Sequence, residues 1–99
     1  MYRVTKRDGS ITEFHIAKIG NAITRAFEAV GRQQHPSVIE LLALRVTAEF
    51  EPKIRNGLIS VEDIQDCVER VLSEAGYSDV AKAYILYRKQ REKLRREFS

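Results

Sequence analysis

A chain of 99 residues, 43% hydrophobic and 31% charged, has the balance of one small folded domain, which excludes intrinsic disorder and allows only a modest core. No apolar run approaches the ~20 residues of a membrane-spanning helix, and the charged start at Arg3, Lys6 and Arg7 lacks the apolar stretch of a secretory signal, so a soluble, cytoplasmic protein is expected. The net charge of +3 favours anionic partners without naming one.

Residues 1–14 read as a β-hairpin. Val4 opens a short strand, and Ile11 to Phe14 returns. Between them Arg7-Asp8-Gly9-Ser10 is a turn signal, because Asp-Gly readily takes the positive φ that tight hairpins need. An isolated two-stranded hairpin is marginal in water, so it must lie on the helices that follow. From Ile16 the period becomes helical, with Ile19, Ile23, Ala26, Phe27 and Val30 recurring at three and four residues and Gly31 as the stop. His15 sits near the N-cap as a candidate polar cap, and Lys18 lies one turn on, off the apolar stripe. Both can point toward the hairpin.

Pro36 and Ser37 open a second helix, and the His35 before them reads as loop surface. The apolar set here includes Val38, Ile39, Leu41, Leu42, Val46 and Phe50. It is wider than one stripe, which predicts burial on two sides. Pro52 ends the helix, and Arg55-Asn56-Gly57 is a polar turn. Ser60 caps a third helix with Glu62 and Asp63 in its first turn. Its inward face is Val61, Ile64, Val68, Val71 and Leu72, and Gly76 stops it. Ser78-Asp79 starts a fourth helix that passes through Val80, Ala81, Tyr84 and Tyr87. The expectation is a mainly α fold: a four-helix bundle capped by a short N-terminal β-hairpin. One domain covers residues 1–90, followed by a charged helical extension over 91–99. There Leu94 and Phe98 stand four apart with no closing cap, which suggests a further domain downstream.

The single cysteine, Cys67, can form neither an intramolecular disulfide nor a zinc ribbon and reads as a small buried hydrophobe. No P-loop, Ser-His-Asp set or pair of catalytic carboxylates is visible, so a non-catalytic domain is expected, with no metal site and no cofactor. Glu62 and Asp63 are explained by helix capping. The chemistry lies in the cations. Lys6 and Arg7 precede the hairpin turn, and Lys18 comes from the next helix. Lysine offers a mobile point charge, and arginine a planar fork that grips two phosphate oxygens. Together with the start of the first helix they can cradle a polyphosphate. From spacing alone they equally fit a solvated hairpin tip.

Two separated segments sharpen the choice. Val4-Thr5-Lys6-Arg7-Asp8-Gly9-Ser10, Phe14, Lys18-Ile19 and Ala22-Ile23 resemble the opening signature of the ATP-cone family. Val61-Glu62-Asp63-Ile64-Gln65-Asp66, Gly76-Tyr77 and Val80-Ala81-Lys82-Ala83-Tyr84-Ile85-Leu86-Tyr87-Arg88 are similar to its closing pattern. The resemblance runs from residue 2 to about 90. It implies a nucleotide-binding regulatory domain at the N-terminus of a ribonucleotide reductase, binding ATP or dATP with or without Mg2+. Val4 is then expected at the adenine, Lys6, Arg7 and Lys18 at the phosphates, Val61 and Gln65 at the base, and Arg88 near the phosphates. His15, which replaces the family's frequent Asp or Asn, is an eighth nucleotide-binding candidate, and Gln65 stands where some members have histidine. Gln65 also fits a solvated helix position, and Tyr84 and Tyr87 fit the core and its rim.

The leading functional expectation is allosteric control of the reductase by ATP and dATP, with the hairpin as the moving element. Its expected partners are adenine nucleotides and the reductase's catalytic domain, with self-association open, no membrane, and nucleic acid disfavoured because Glu92 and Glu97 interrupt the basic final helix. The anaerobic or cobalamin-dependent reductases are the favoured parents. The alternative is the nucleotide-sensing half of a transcriptional repressor of reductase genes.

Overall fold

The computed structural model describes the backbone of residues 2–98 and the side chains of residues 2–93. The elements run β1 (Arg3–Thr5), β2 (Ile11–Glu13), α1 (Ile16–Ala29), α2 (Pro36–Phe50), β3 (Leu58–Ser60), α3 (Val61–Glu74) and α4 (Ser78–Phe98), with one 3-10 turn at Glu51–Lys53. The fold is mainly helical with a small sheet. The expectation built on the Leu94 and Phe98 side chains lies outside the described residues.

The sheet corrects the expectation of a lone hairpin. Its order is β2-β1-β3. β1 pairs antiparallel with β2 and parallel with β3, Val4 standing opposite both Thr12 and Ile59. β3 directly follows the segment read as a polar turn. Arg55 and Leu58 exchange two backbone hydrogen bonds of 2.9 Å across Asn56 and Gly57. Those two residues have φ of 54° and 72°, the positive values that a primed turn requires and that Asn-Gly adopts most readily. The chain leaves this turn as β3 and passes directly into α3. Ser60 is both the last strand residue and the helix cap, its hydroxyl accepting from the Asp63 N–H at 3.1 Å.

The N-terminal turn also differs from a tight two-residue connection. The Gly9 N–H donates to the Lys6 carbonyl (3.0 Å), and the Lys6 N–H to the Ser10 carbonyl (2.8 Å). Gly9 carries the positive φ of 88°. This is a three-residue loop closed by a glycine bulge. Asp8 Oδ1 fixes it by accepting from the Ser10 amide at 2.9 Å and the Ser10 hydroxyl at 2.6 Å.

The four helices pack cyclically: α1 lies against α2 and α4, and α3 against the same two. The apolar stripes read from the sequence supply the core, in which Ile23, Phe27, Val46, Phe50, Val71 and Leu72 are essentially solvent-free. Cys67 is buried among them, and burial pushes its thiol pKa up. The sheet is pinned to the end of α2 by three rings, Tyr2, Phe14 and Phe50, whose centroids lie 4.9–5.8 Å apart.

One expectation for α2 is corrected and another is extended. The helix is buried on one side only, through Leu42, Ala43, Val46 and Phe50, while Leu41 and Leu44 are 59% and 57% exposed. His35 is exposed but is not passive loop: its Nδ1 accepts from the Ser37 N–H at 3.1 Å and caps the helix.

Candidate functional site

A cleft of about 290 Å³ opens between the sheet, the start of α1, the first half of α3 and the outer half of α4. All eight candidates drawn from the sequence line it. Val4 and Lys6 come from the N-terminal ribbon and share a side because they stand two residues apart. Arg7 reaches in from the turn, where strand alternation no longer applies. His15 and Lys18 come from the start of α1, Val61 and Gln65 from the first two turns of α3, and Arg88 from α4.

One wall is apolar. Val4, Ile19, Ile64 and Val68 are buried in the core and present their edges to the cleft. Tyr84 forms the back, 4% exposed, and burial raises its phenol pKa well above the ordinary value of 10.0. It is both core, as the sequence suggested, and lining. Tyr87 stands 6.4 Å from it, ring to ring, and its hydroxyl accepts from Arg25 Nη1 at 3.4 Å.

The cations fall into two groups. Arg88 Nη1 donates to Asp66 Oδ1 and Glu69 Oε1 at 2.8 Å each. Burial works against its charge, but the hydrogen bonds from Asp66 and Glu69 outweigh that and raise its pKa. This guanidinium is a strut between α3 and α4, its charge already answered by two carboxylates. Arg7 is also engaged: Nη1 lies 3.0 Å from Glu92 and 3.7 Å from Glu62, and Nη2 donates to Gln65 Oε1 at 3.3 Å. Gln65 is thus neither simply solvated nor isolated, because it steadies the arginine that crosses the cleft.

Lys6 and Lys18 form the second group and make no ion pair among the described residues. Arg91 joins them. It lines the cleft with its guanidinium 5.8 Å from the centre of the Tyr87 ring. His15 occupies the N-cap position of α1 with extended backbone, but its imidazole makes no capping bond, so the polar-cap reading of that side chain is corrected. No side chain caps the start of α1, and His15, Lys18 and Ile19 bring that helix end to the cleft, where an uncapped helix start favours an anion.

Arg91 and Glu92 were not among the site candidates drawn from the sequence. The usable signal was spacing: Tyr84, Tyr87, Arg88 and Arg91 recur at three and four residues and share one face of α4. Among the described residues no three His, Cys, Asp or Glu side chains are grouped as a metal site, and no helix is long and apolar enough to cross a membrane.

What this arrangement can hold is an elongated ligand, apolar and aromatic toward α3 and Tyr84, anionic toward the two lysines and Arg91. Comparison with known proteins agrees in kind. The family model of the ATP cone domain matches residues 2–93. The chain is 43% identical over 93 residues to a vitamin B12-dependent ribonucleoside-diphosphate reductase of Mycobacterium tuberculosis, covering 94% of this chain and 13% of that protein. It is 41% identical over 99 residues to the enzyme of the same description from Thermoplasma acidophilum, covering 95% of this chain and 12% of that protein. An anaerobic ribonucleoside-triphosphate reductase of Haemophilus influenzae is 37% identical over 101 residues, covering 99% of this chain and 14% of that protein. The chain therefore spans only a small part of the relatives it matches.

Proposed function

Because the chain belongs to the ATP-cone family, we propose that its cleft binds ATP and dATP and that the bound nucleotide sets the activity of a ribonucleotide reductase of which this domain forms part. The observation that carries the reading is the division of the cleft into an apolar wall and a cluster of cations, Lys6, Lys18 and Arg91, that make no ion pair among the described residues. The purine lies beneath the ribbon against Val4, Val61 and Gln65. The phosphates lie among Lys6, Lys18 and Arg91 at the uncapped start of α1. Arg7 joins them once it leaves its carboxylates, and Arg88 shapes the site from behind rather than gripping phosphate.

The domain itself carries out no chemistry in this reading. ATP and dATP differ by one 2′-hydroxyl, and regulation needs each to prefer a different arrangement of the domain against its neighbours. A coupling of about 1–3 kcal/mol suffices. The hairpin tip is the element that moves, since β3 and the aromatic trio hold its base. B12-dependent and anaerobic reductases are both among the relatives and both fit as the parent.

Calorimetric titration with ATP, dATP and GTP, repeated on Lys6→Ala, tests this. Both adenine nucleotides should bind, GTP should bind more weakly, and Lys6→Ala should lower ATP affinity about tenfold, as expected for losing one charge-assisted contact. GTP binding as tight as ATP, or unchanged affinity in Lys6→Ala, sinks the assignment.

A further inference from the structure

Glu92 occupies a place that the proposed function leaves unexplained. It is an acid inside a cleft read as a polyphosphate site, and it holds one of that site's cations. Arg7 Nη1 lies 3.0 Å from Glu92, while the other arm of the fork is taken by Gln65 at 3.3 Å. The guanidinium is therefore already used as it would be by a phosphate, gripping acceptors on two sides.

We propose that Glu92 is a resident anion that stands in for a phosphate group on Arg7, so that a ligand must displace it, and that this makes the cleft selective for nucleoside triphosphates over monophosphates. The proposal rests on the nucleotide-binding reading above. The Arg7 and Glu92 side chains are 25% and 34% exposed, so water screens their attraction and the pair is weak enough to be exchanged. A monophosphate is satisfied by Lys6, Lys18 and Arg91 and leaves the pair closed. A triphosphate carries more negative charge than one carboxylate and extends further toward the turn, so it can take Arg7 from Glu92. The exchange has a structural reading as well. Glu92 follows Arg91 on α4, and breaking its bond to Arg7 removes one tie between the N-terminal turn and the outer half of that helix. Phosphate number would thus be registered on α4, some distance from the purine.

The test is a double-mutant cycle on the 99-residue chain, with Glu92→Gln, Arg7→Ala and the double variant titrated with ATP and AMP. Neither substitution removes a buried apolar group. Glu92→Gln should tighten ATP binding about three- to fivefold, the scale of one partly exposed ion pair, and leave AMP unchanged. In the Arg7→Ala background the same substitution should change ATP affinity by less than about twofold, because the competition it relieves has gone. An ATP affinity that Glu92→Gln leaves unchanged or weakens overturns the resident-anion role. So does equal tightening with and without Arg7, which would mean that the acid acts only through the general field. Absence of ATP binding to the unsubstituted chain would instead overturn the nucleotide-binding reading, and this proposal with it.

Discussion

Arg88 on α4 and Glu69 on α3 meet at 2.8 Å, Nη1 to Oε1, in a setting where the arginine side chain is 15% exposed and the glutamate 26%. With Asp66 on the same nitrogen, this pair joins two helices behind the cleft. Removing the arginine leaves Glu69 without its cation in a half-buried place. Arg88→Ala is therefore expected to cost about 1–3 kcal/mol of stability, read as a lower urea midpoint with unchanged slope. ATP affinity should fall less than it does in Arg91→Ala.

Arg91→Ala should behave in the opposite way. The side chain is exposed, resting on Tyr87, and its loss should leave the unfolding midpoint within about 0.5 kcal/mol of the original. Calorimetry should show ATP affinity reduced about tenfold, with a shallower dependence on salt than the unsubstituted chain shows, because one screened charge pair has gone. Equal ATP binding in Arg91→Ala would remove this residue from the site.

Phe50 is solvent-free and is the ring on which both Tyr2 and Phe14 lean. Phe50→Ala should destabilise the fold by about 3–5 kcal/mol. Its local signature should be faster hydrogen exchange at the amides of β1 and β2, because the sheet loses its anchor on α2.

At Gly9 an added Cβ would meet no atom within 4 Å, yet φ is +88°. The cost of Gly9→Ala is therefore one of backbone conformation alone, about 1 kcal/mol. A thermal melt should detect it, and a much larger loss would mean that the loop closes in another way.

Asp79 gives the fold a measurable acid dependence. Desolvation pushes its pKa up, but the Val80 N–H and the Arg32 guanidinium, 3.1 Å away, outweigh it and hold the carboxyl below its ordinary 3.8. Its native pKa is depressed, so the stability it confers is fully present above pH 3.8 and is lost as pH falls through the lower native value. Asp79→Asn should lower stability modestly at neutral pH, where the carboxylate's contribution is fully present, and should flatten that part of the decline in an acid titration followed by circular dichroism.

The helices were legible because their apolar residues keep helical spacing over several turns, as Ile19, Ile23 and Phe27 do in α1. β3 was not. Three residues are too few to show strand alternation, and Ser60 already carried the stronger signal of a helix cap. Asn56-Gly57 was visible as a turn, but it was not read as the primed turn that sends the chain back as a strand. In α2 a wide apolar set suggested two buried sides, and spacing alone does not tell a second buried side from the exposed Leu41 and Leu44.

The cleft was more legible than the fold around it. Lys6 and Arg7 before the turn, Lys18 one helical turn beyond His15, and Gln65 within its motif all reach one place. What stayed hidden was which cations were already engaged. Arg88 meets Asp66 and Glu69 only through the rotation of α3 against α4, and Arg7 meets Glu92 only when opposite ends of the chain are brought together. Local sequence holds no record of either meeting.

The parallel pairing of Val4 with Ile59 also dictates an order of assembly. The ribbon that roofs the cleft is made first during synthesis, yet its second neighbour strand comes from the other half of the chain. A two-stranded ribbon is barely stable by itself, and pairing partners so distant in sequence form late. The roof must therefore wait for Leu58–Ser60 to be synthesised, and a chain cut short before Leu58 would lack β3, α3 and α4 and with them the strand that holds the roof and two walls of the cleft. The binding site is thus a late product of folding, and its presence certifies that both halves of the domain have come together.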